Sequence, residues 1–105
     1  MQELEIENIK LYIKSDKIKW TEHCANRMFE RDITKEDVIN AVSNGKIIEY
    51  YEKAYPFPSC LILGLDKLNT MLHVCLGINK DFIYIITAYY PDNVEWEEDR
   101  ERRKQ

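Results

Sequence analysis

The spacing of apolar residues changes once along this chain, near Gly45. Before Gly45, apolar residues recur every three or four positions, which is typical of helices that bury one face. After Gly45, apolar and polar residues alternate with the two-residue period of strands. The pattern therefore predicts an α+β protein in which N-terminal helices pack on a sheet built from the rest of the chain.

Local signals predict the ends of three helices. The first helix covers residues 3–14. Thr21 and Thr34 are the predicted N-caps of the second and third helices, because a threonine hydroxyl accepts hydrogen bonds from free backbone N–H groups of the first turn. Asp37 stands where a capping box places its reciprocal acceptor. Asn44-Gly45 predicts a left-handed stop to the third helix.

Four strands are predicted after the helices. They are joined by tight turns and by a proline-rich connection, and the turns are short enough for antiparallel neighbours, so the four strands form one antiparallel sheet. The strands cover residues 46–53, 60–66, 70–78 and 82–90. Residues 17–20 are predicted as a short extended piece, and the charged tail over residues 95–105 as a short helix that frays.

Length and composition predict a single domain over residues 1–105. A chain of 105 residues with 45% hydrophobic residues can build one core without disulfides or metals. The acidic N-terminus lacks the features of a signal peptide and no apolar run is long enough for a bilayer, so we expect a cytoplasmic protein. The net charge of −4 argues against coating nucleic acid by charge alone, but it leaves room for a small basic site.

The three cysteines favour neither a disulfide framework nor a zinc site. Cys24, Cys60 and Cys75 are odd in number and widely spaced, with no C-x-x-C pair, so we expect them to be reduced and at least partly buried. The acidic residues do not cluster on a shared predicted face. The chain is therefore expected to use no cofactor, and any activity is expected to be independent of metal.

The second predicted helix carries a cationic face. His23, Arg27 and Arg31 stand at i, i+4 and i+8, within about 80° of one another around the helix. Two guanidinium groups beside an imidazole could bind a phosphate and transfer a proton at one place. The alternative is a solvated face, which is the commonest reason for a stripe of charge on a helix.

His73 is the second candidate for proton transfer. Alternation in the third predicted strand places it with Gly77 on the less apolar face, where small α+β proteins often hold a binding cleft. Gly77 would leave room there for a ligand. The alternative is a packed histidine whose ring is satisfied by one neighbour. The last predicted strand carries several tyrosines, and a tyrosine can donate a hydrogen bond to a phosphate or stack on a base.

These residues lie in five blocks that resemble a bacterial family of domains of unknown function, numbered 4258. The resemblance covers nearly the whole length after Lys17. Its blocks here are T-E-H-C-A-N-R-M-F-E-R-D-I-T, D-V-I-N-A-V-S-N-G-K-I-I-E-Y-Y, Y-P-F-P-S-C-L-I-L-G, L-H-V and I-I-T-A-Y-Y-P-D. The outline of helices followed by a four-stranded antiparallel sheet is similar to RelE-like and MqsR-like toxins, the small ribonucleases of type II toxin–antitoxin pairs.

The resemblance implies metal-independent cleavage of single-stranded RNA by attack of the 2′-hydroxyl on the adjacent phosphate. His23 and His73 would then supply base and acid, and we expect them to converge. Arg27 would hold the phosphate as part of the catalytic set, with Arg31 and Tyr89 as further substrate contacts. A cognate antitoxin, of the zinc-finger type in this comparison, is the implied protein partner.

Two other functions remain open for the same fold. One is a non-catalytic domain that binds a partner protein through the face formed by His23, Arg27 and Arg31. The other is a relative that keeps the fold and has lost activity. The acidic net charge favours the binding domain slightly, because a protein that cleaves RNA usually profits from a positive field.

Overall fold

The computed structural model describes residues 4–103, and in this range the chain forms three helices and five strands. The helices are α1 (Ile6–Lys14), α2 (Glu22–Glu30) and α3 (Lys35–Asn44). The strands are β1 (Ile18–Trp20), β2 (Lys46–Tyr51), β3 (Ser59–Leu65), β4 (Met71–Ile78) and β5 (Ile83–Tyr89). The predicted start of the first helix at residue 3 lies outside the described residues. None of the helices within residues 4–103 is long and apolar enough to cross a membrane.

Both predicted helix caps are confirmed. The Thr21 hydroxyl accepts a hydrogen bond from the Cys24 N–H at 3.0 Å. Thr34 and Asp37 form a reciprocal capping box, with bonds of 3.0 and 3.1 Å. The predicted left-handed stop after α3 is wrong, because Gly45 is extended at φ −93° and ψ −179°. The chain passes from α3 straight into β2, so no reversal of the backbone is needed there.

The sheet is mixed and has five strands in the order β1-β5-β4-β3-β2. The four strands from β2 to β5 pair antiparallel, nearly as predicted. The expectation of a four-stranded, purely antiparallel sheet is wrong, because β1 adds to β5 in parallel. The predicted extended piece is this fifth strand. It is too short to show an alternating pattern, and its partner lies at the far end of the sequence.

The three helices cover one face of the sheet, which we call the inner face. Alternate residues of β4 are fully buried in this core, as their pattern predicted. On α2 the buried residues are Cys24 and Met28. Ala25 and Phe29 are exposed, Phe29 by 85%, although the spacing groups them with Met28. The side of α2 that faces the core is therefore set by Cys24 and Met28.

Helix α3 packs closely on β3 at Gly64. A Cβ atom at Gly64 would lie 1.8 Å from the carbonyl oxygen of Ala41, which belongs to the backbone of α3. The Asn44 side chain fixes the same contact, because its Oδ1 accepts a hydrogen bond from the Leu65 N–H at 2.8 Å. The helical layer can approach the sheet this closely only because position 64 carries no side chain.

The other face of the sheet, the outer face, is partly covered by residues 91–103, which we call the C-terminal segment. Trp96 is 1% exposed and pairs with Arg103 in an isolated antiparallel bridge. The predicted fraying helix is wrong for the described part of the tail. The carboxylates of Asp92 and Asp99 accept hydrogen bonds from backbone N–H groups two and three residues later, which favours turns over a helix.

Asp66 fixes the point from which the C-terminal segment begins. Its Oδ1 accepts hydrogen bonds from the Leu68 and Thr70 N–H groups, both at 2.8 Å, and so closes the β3–β4 turn. Its Oδ2 accepts a hydrogen bond from the Tyr90 hydroxyl at 2.7 Å. The turn and the end of β5 are thereby joined.

We predict that Gly64→Ala destabilises the protein far more than Gly77→Ala. At Gly64 the new Cβ meets helix backbone, whereas at Gly77 it meets the far end of the Tyr84 side chain at 2.5 Å, which can move. We expect a loss of about 3 kcal/mol for Gly64→Ala and about 1 kcal/mol for Gly77→Ala in urea denaturation. An equal loss of unfolding free energy in the two variants would contradict the close contact between α3 and β3 at Gly64.

Candidate functional site

Five polar side chains gather on the outer face, and we call them the outer-face cluster: Lys46, Glu49, Tyr51, His73 and Tyr89. Strand register brings them together. Lys46 pairs with Leu63, Leu63 with His73, and His73 with Tyr89, so three of the five lie in one row across the sheet. Glu49 and Tyr51 extend the cluster along β2, two residues apart and on the same side of the strand.

His73 lies at the centre of the cluster and is fully buried. Its Nε2 is 2.7 Å from the carbonyl oxygen of Arg100, and its Nδ1 is 3.2 Å from the Tyr89 hydroxyl. A carbonyl oxygen only accepts, so Nε2 carries the proton and Nδ1 of the neutral ring accepts from Tyr89. Trp96 packs edge-to-face on the imidazole with ring centroids 4.5 Å apart.

Glu49 is the acidic member of the cluster. It accepts hydrogen bonds from the Tyr51 hydroxyl and from Arg103, whose Nε and Nη2 lie 2.9 and 3.1 Å from its two oxygens. Arg103 also pairs with Glu95 and lies over the Trp96 ring, 4.5 Å from its centroid. This two-point contact with a carboxylate is the strongest geometry available to a guanidinium.

The C-terminal segment supplies a partner to each of three cluster residues. Glu101 forms an ion pair with Lys46 at 2.8 Å, while Arg103 binds Glu49 and the Arg100 carbonyl binds His73. The cluster is therefore satisfied from within the chain, and Trp96 packs over the buried His73.

Burial and hydrogen bonds set the charge state of the cluster. Burial lowers the pKa of His73 below its ordinary value, against the Arg100 carbonyl and the Glu49 carboxylate, which both raise it. Burial opposes ionisation of Glu49, but hydrogen bonds from Arg103 and Tyr51 outweigh it and lower the pKa of that carboxyl. Burial raises the pKa of Tyr89 to about 12. At neutral pH the cluster thus holds a carboxylate beside a neutral imidazole.

The structure brings together two of the residues predicted from sequence and leaves the others apart. His73 and Tyr89 are in contact. His23 and Arg27 are exposed on α2, in the layer that covers the inner face, and Arg27 lies 3.9 Å from Glu30. The two histidines therefore do not converge, because they belong to opposite sides of the sheet.

Arg31 is tied to the sheet. Its Nη1 donates to the Ala88 carbonyl at 2.8 Å and to the Thr87 hydroxyl at 3.3 Å, at the edge of β5 beyond its pairing with β1. At 100° per residue, Arg31 lies about 20° from Cys24 around α2, on the border of the buried side. It is thus engaged with backbone, whereas Arg27 makes an exposed contact.

Three cluster residues, Lys46, Glu49 and Tyr51, were not predicted. The alternation of β2 does place Glu49 and Tyr51 on one face, but nothing in the sequence shows that this face meets His73 across β3. The expected ligand space beside Gly77 is filled, because the Tyr84 ring lies across that glycine. Within residues 4–103, no three His, Cys, Asp or Glu side chains are grouped to hold a metal ion, and independence from metal stays a prediction.

Comparison with known proteins identifies the family of the chain. A family model described as "Domain of unknown function (DUF4258)" matches residues 20–90, and the chain belongs to this family. No curated protein matches the chain. No solved structure matches it either. The matched region includes the whole outer-face cluster and ends at Tyr90, so the C-terminal segment lies beyond it.

We predict that His73 makes the protein less stable as the pH falls from 7.5 to 5.5. In the unfolded chain the imidazole binds a proton near pH 6.5, whereas the lowered pKa in the folded chain resists it. The free energy of unfolding should therefore be highest above pH 6.5 and fall below it, by at most about 1.4 kcal/mol per pH unit. Urea denaturation at several pH values in this range should show that the free energy of unfolding changes less with pH in His73→Asn than in the wild type. The same dependence on pH in both proteins would contradict a lowered pKa for His73.

Proposed function

We propose that this member of the DUF4258 family is a metal-independent endoribonuclease that cleaves single-stranded RNA, and the toxin of a type II toxin–antitoxin pair with a RelE-like fold. The observation that carries the proposal is the outer-face cluster, which puts a carboxylate, an imidazole and an ammonium group on one face of a sheet. The proposed site retains His73 and Tyr89 from the sequence prediction. Lys46 and Glu49 replace His23 and Arg27 as their partners.

The reaction needs a base, an acid and a cation. The Glu49 carboxylate takes the proton from the 2′-hydroxyl, whose oxygen attacks the phosphorus. The bond from phosphorus to the 5′-oxygen breaks, and His73 in its protonated form gives a proton to that leaving oxygen. Lys46 lies in the same row as His73, two strands away or about 10 Å, and its ammonium offsets the negative charge on the phosphate between them.

The C-terminal segment must leave the cluster before RNA can enter. In the closed form, Glu101 takes the place of a phosphate on Lys46, and Arg103 neutralises the base Glu49. Its departure also exposes His73 to water, which removes the burial that lowers its pKa and leaves Glu49 to favour the protonated ring. The segment lies beyond the matched family region, so the domain and its cover are separate parts of the chain.

A cognate antitoxin of the zinc-finger type is the proposed partner. A second function, docking of a partner protein without catalysis, is favoured by the exposed side of α2. There Phe29 is 85% exposed, and His23 and Arg27 are exposed further round the same helix. A large aromatic side chain exposed on a helix is a common centre for a protein interface.

We predict that Trp96→Ala opens the site. Loss of the indole removes the buried contact with His73. Both RNA cleavage and the reaction of His73 with diethylpyrocarbonate should therefore increase. Each should rise by about tenfold for every 1.4 kcal/mol by which the substitution lowers the free energy needed to open the segment. Peptide mass spectrometry separates modification of His73 from that of the exposed His23, which serves as the internal reference. Val94→Ala, on the same segment but 80% exposed, is the matched control. Unchanged protection of His73 in Trp96→Ala would refute the cover.

We predict that Glu49→Gln lowers cleavage of a long single-stranded RNA by about 10²- to 10⁴-fold, because the amide keeps the shape of the side chain but is not a base. Both proteins are assayed with Trp96→Ala added, so that the site is open. Products should carry a 2′,3′-cyclic phosphate, and excess EDTA should have no effect. Cleavage that requires a divalent metal, or that is lost with His23→Ala and kept with Glu49→Gln, would refute the proposed site.

A further inference from the structure

A second group of side chains lies on the outer face at the other end of β4 and β5. The Tyr84 ring lies across Gly77, and the rings of Phe57 and Phe82 stand at 68° and 70° to it, with centroids 5.4 and 6.4 Å away. All three rings are half-buried, so part of each reaches solvent. The Lys19 ammonium lies 4.6 Å from the centroid of the Phe82 ring. We call these four residues the aromatic group.

The aromatic group and the outer-face cluster share one surface. Gly77 and His73 are on the same side of β4, four residues or about 13 Å apart. A single-stranded RNA lying along β4 and β5 would therefore pass from the outer-face cluster to the aromatic group. The proposed catalytic residues thus have a row of aromatic rings beside them, along the same strands.

The chemistry of the aromatic group selects its ligand. Aromatic rings alone would also suit a cationic ligand, but the Lys19 ammonium repels a cation and attracts a phosphate. Aromatic rings together with a lysine are what proteins use to bind unpaired bases and the backbone that joins them.

We propose that the aromatic group is a subsite for single-stranded RNA, in which a base stacks on the rings and Lys19 binds a neighbouring phosphate. This inference rests on the proposed function for the identity of the ligand. It adds that bases several positions away from the cleaved bond are held by stacking, without selection of one base over another, because every base has an aromatic face.

The test measures binding apart from cleavage. A fluorescein-labelled single-stranded DNA oligonucleotide lacks the 2′-hydroxyl and is not cut, and its binding is followed by fluorescence anisotropy. Phe82→Ala should raise Kd by about 5- to 150-fold, the measured range for loss of one stacked base. Phe82→Leu should also raise it, because leucine keeps the apolar packing but not the flat ring. Phe29→Ala removes an exposed aromatic side chain from α2 and should leave Kd unchanged.

Lys19→Gln should weaken binding at low salt and reduce the dependence of log Kd on log salt by about 0.7, the contribution of one phosphate contact on a single strand. Absence of binding by the wild-type protein, or the same Kd for Phe82→Leu and wild type, would overturn the subsite. Binding that depends on Phe82, with no cleavage of the matching RNA by the opened Trp96→Ala protein, would refute the ribonuclease and keep the subsite. Cleavage by Trp96→Ala that is unchanged when Phe82→Ala is added would refute the subsite and keep the ribonuclease.

Discussion

The structure depends on the burial of β4 on both of its faces. On the inner face, apolar side chains of β4 meet helices, and this needs no more than shape and volume. On the outer face the same strand carries His73, which cannot be buried without hydrogen-bond partners for both ring nitrogens. Those partners come from β5 and from the C-terminal segment. A polar residue on the central strand therefore requires a piece of chain that the helices cannot provide.

This constraint makes the outer face different in kind from the core. Its ion pairs lie between residues that are partly exposed, such as Glu49 and Arg103, and such pairs contribute little stability one at a time. Trp96 is the fully buried apolar side chain of the described segment, and its burial helps to hold the segment in place. A segment that is held by weak ion pairs and one buried side chain can leave the sheet without unfolding the helical core. This is the physical basis for the proposal that the C-terminal segment covers a site.

The sequence predicts the parts of the fold that depend on local chemistry. Thr21 and Thr34 cap helices because of their own hydroxyl groups, and the strands of the antiparallel sheet follow from alternation and short turns. The parts that depend on distant pairing were not predicted. The strand at Ile18 finds its partner at Ile83, and the register of β3 sets how near Glu49 lies to His73.

For the candidate site as well, the sequence indicates single residues but not which of them the fold brings together. His73 and Tyr89 were predicted one by one as site residues, and the structure shows them in contact. The spacing of His23 and Arg27 correctly gave an exposed face of a helix, but spacing within one element cannot show on which side of a sheet that element packs. Arg31 belongs to the same stripe and yet serves the backbone of β5.

The parallel pairing of β1 with β5 has a consequence for the order of folding. β1 precedes α2 and α3, whereas β5 is the last strand to leave the ribosome. The edge of the sheet near β1 therefore cannot close during synthesis until β5 has emerged. Because the C-terminal segment follows β5 directly, the sheet is completed and its outer face is covered within the same short interval. During synthesis, a completed outer face is therefore left uncovered only while the residues that follow β5 emerge.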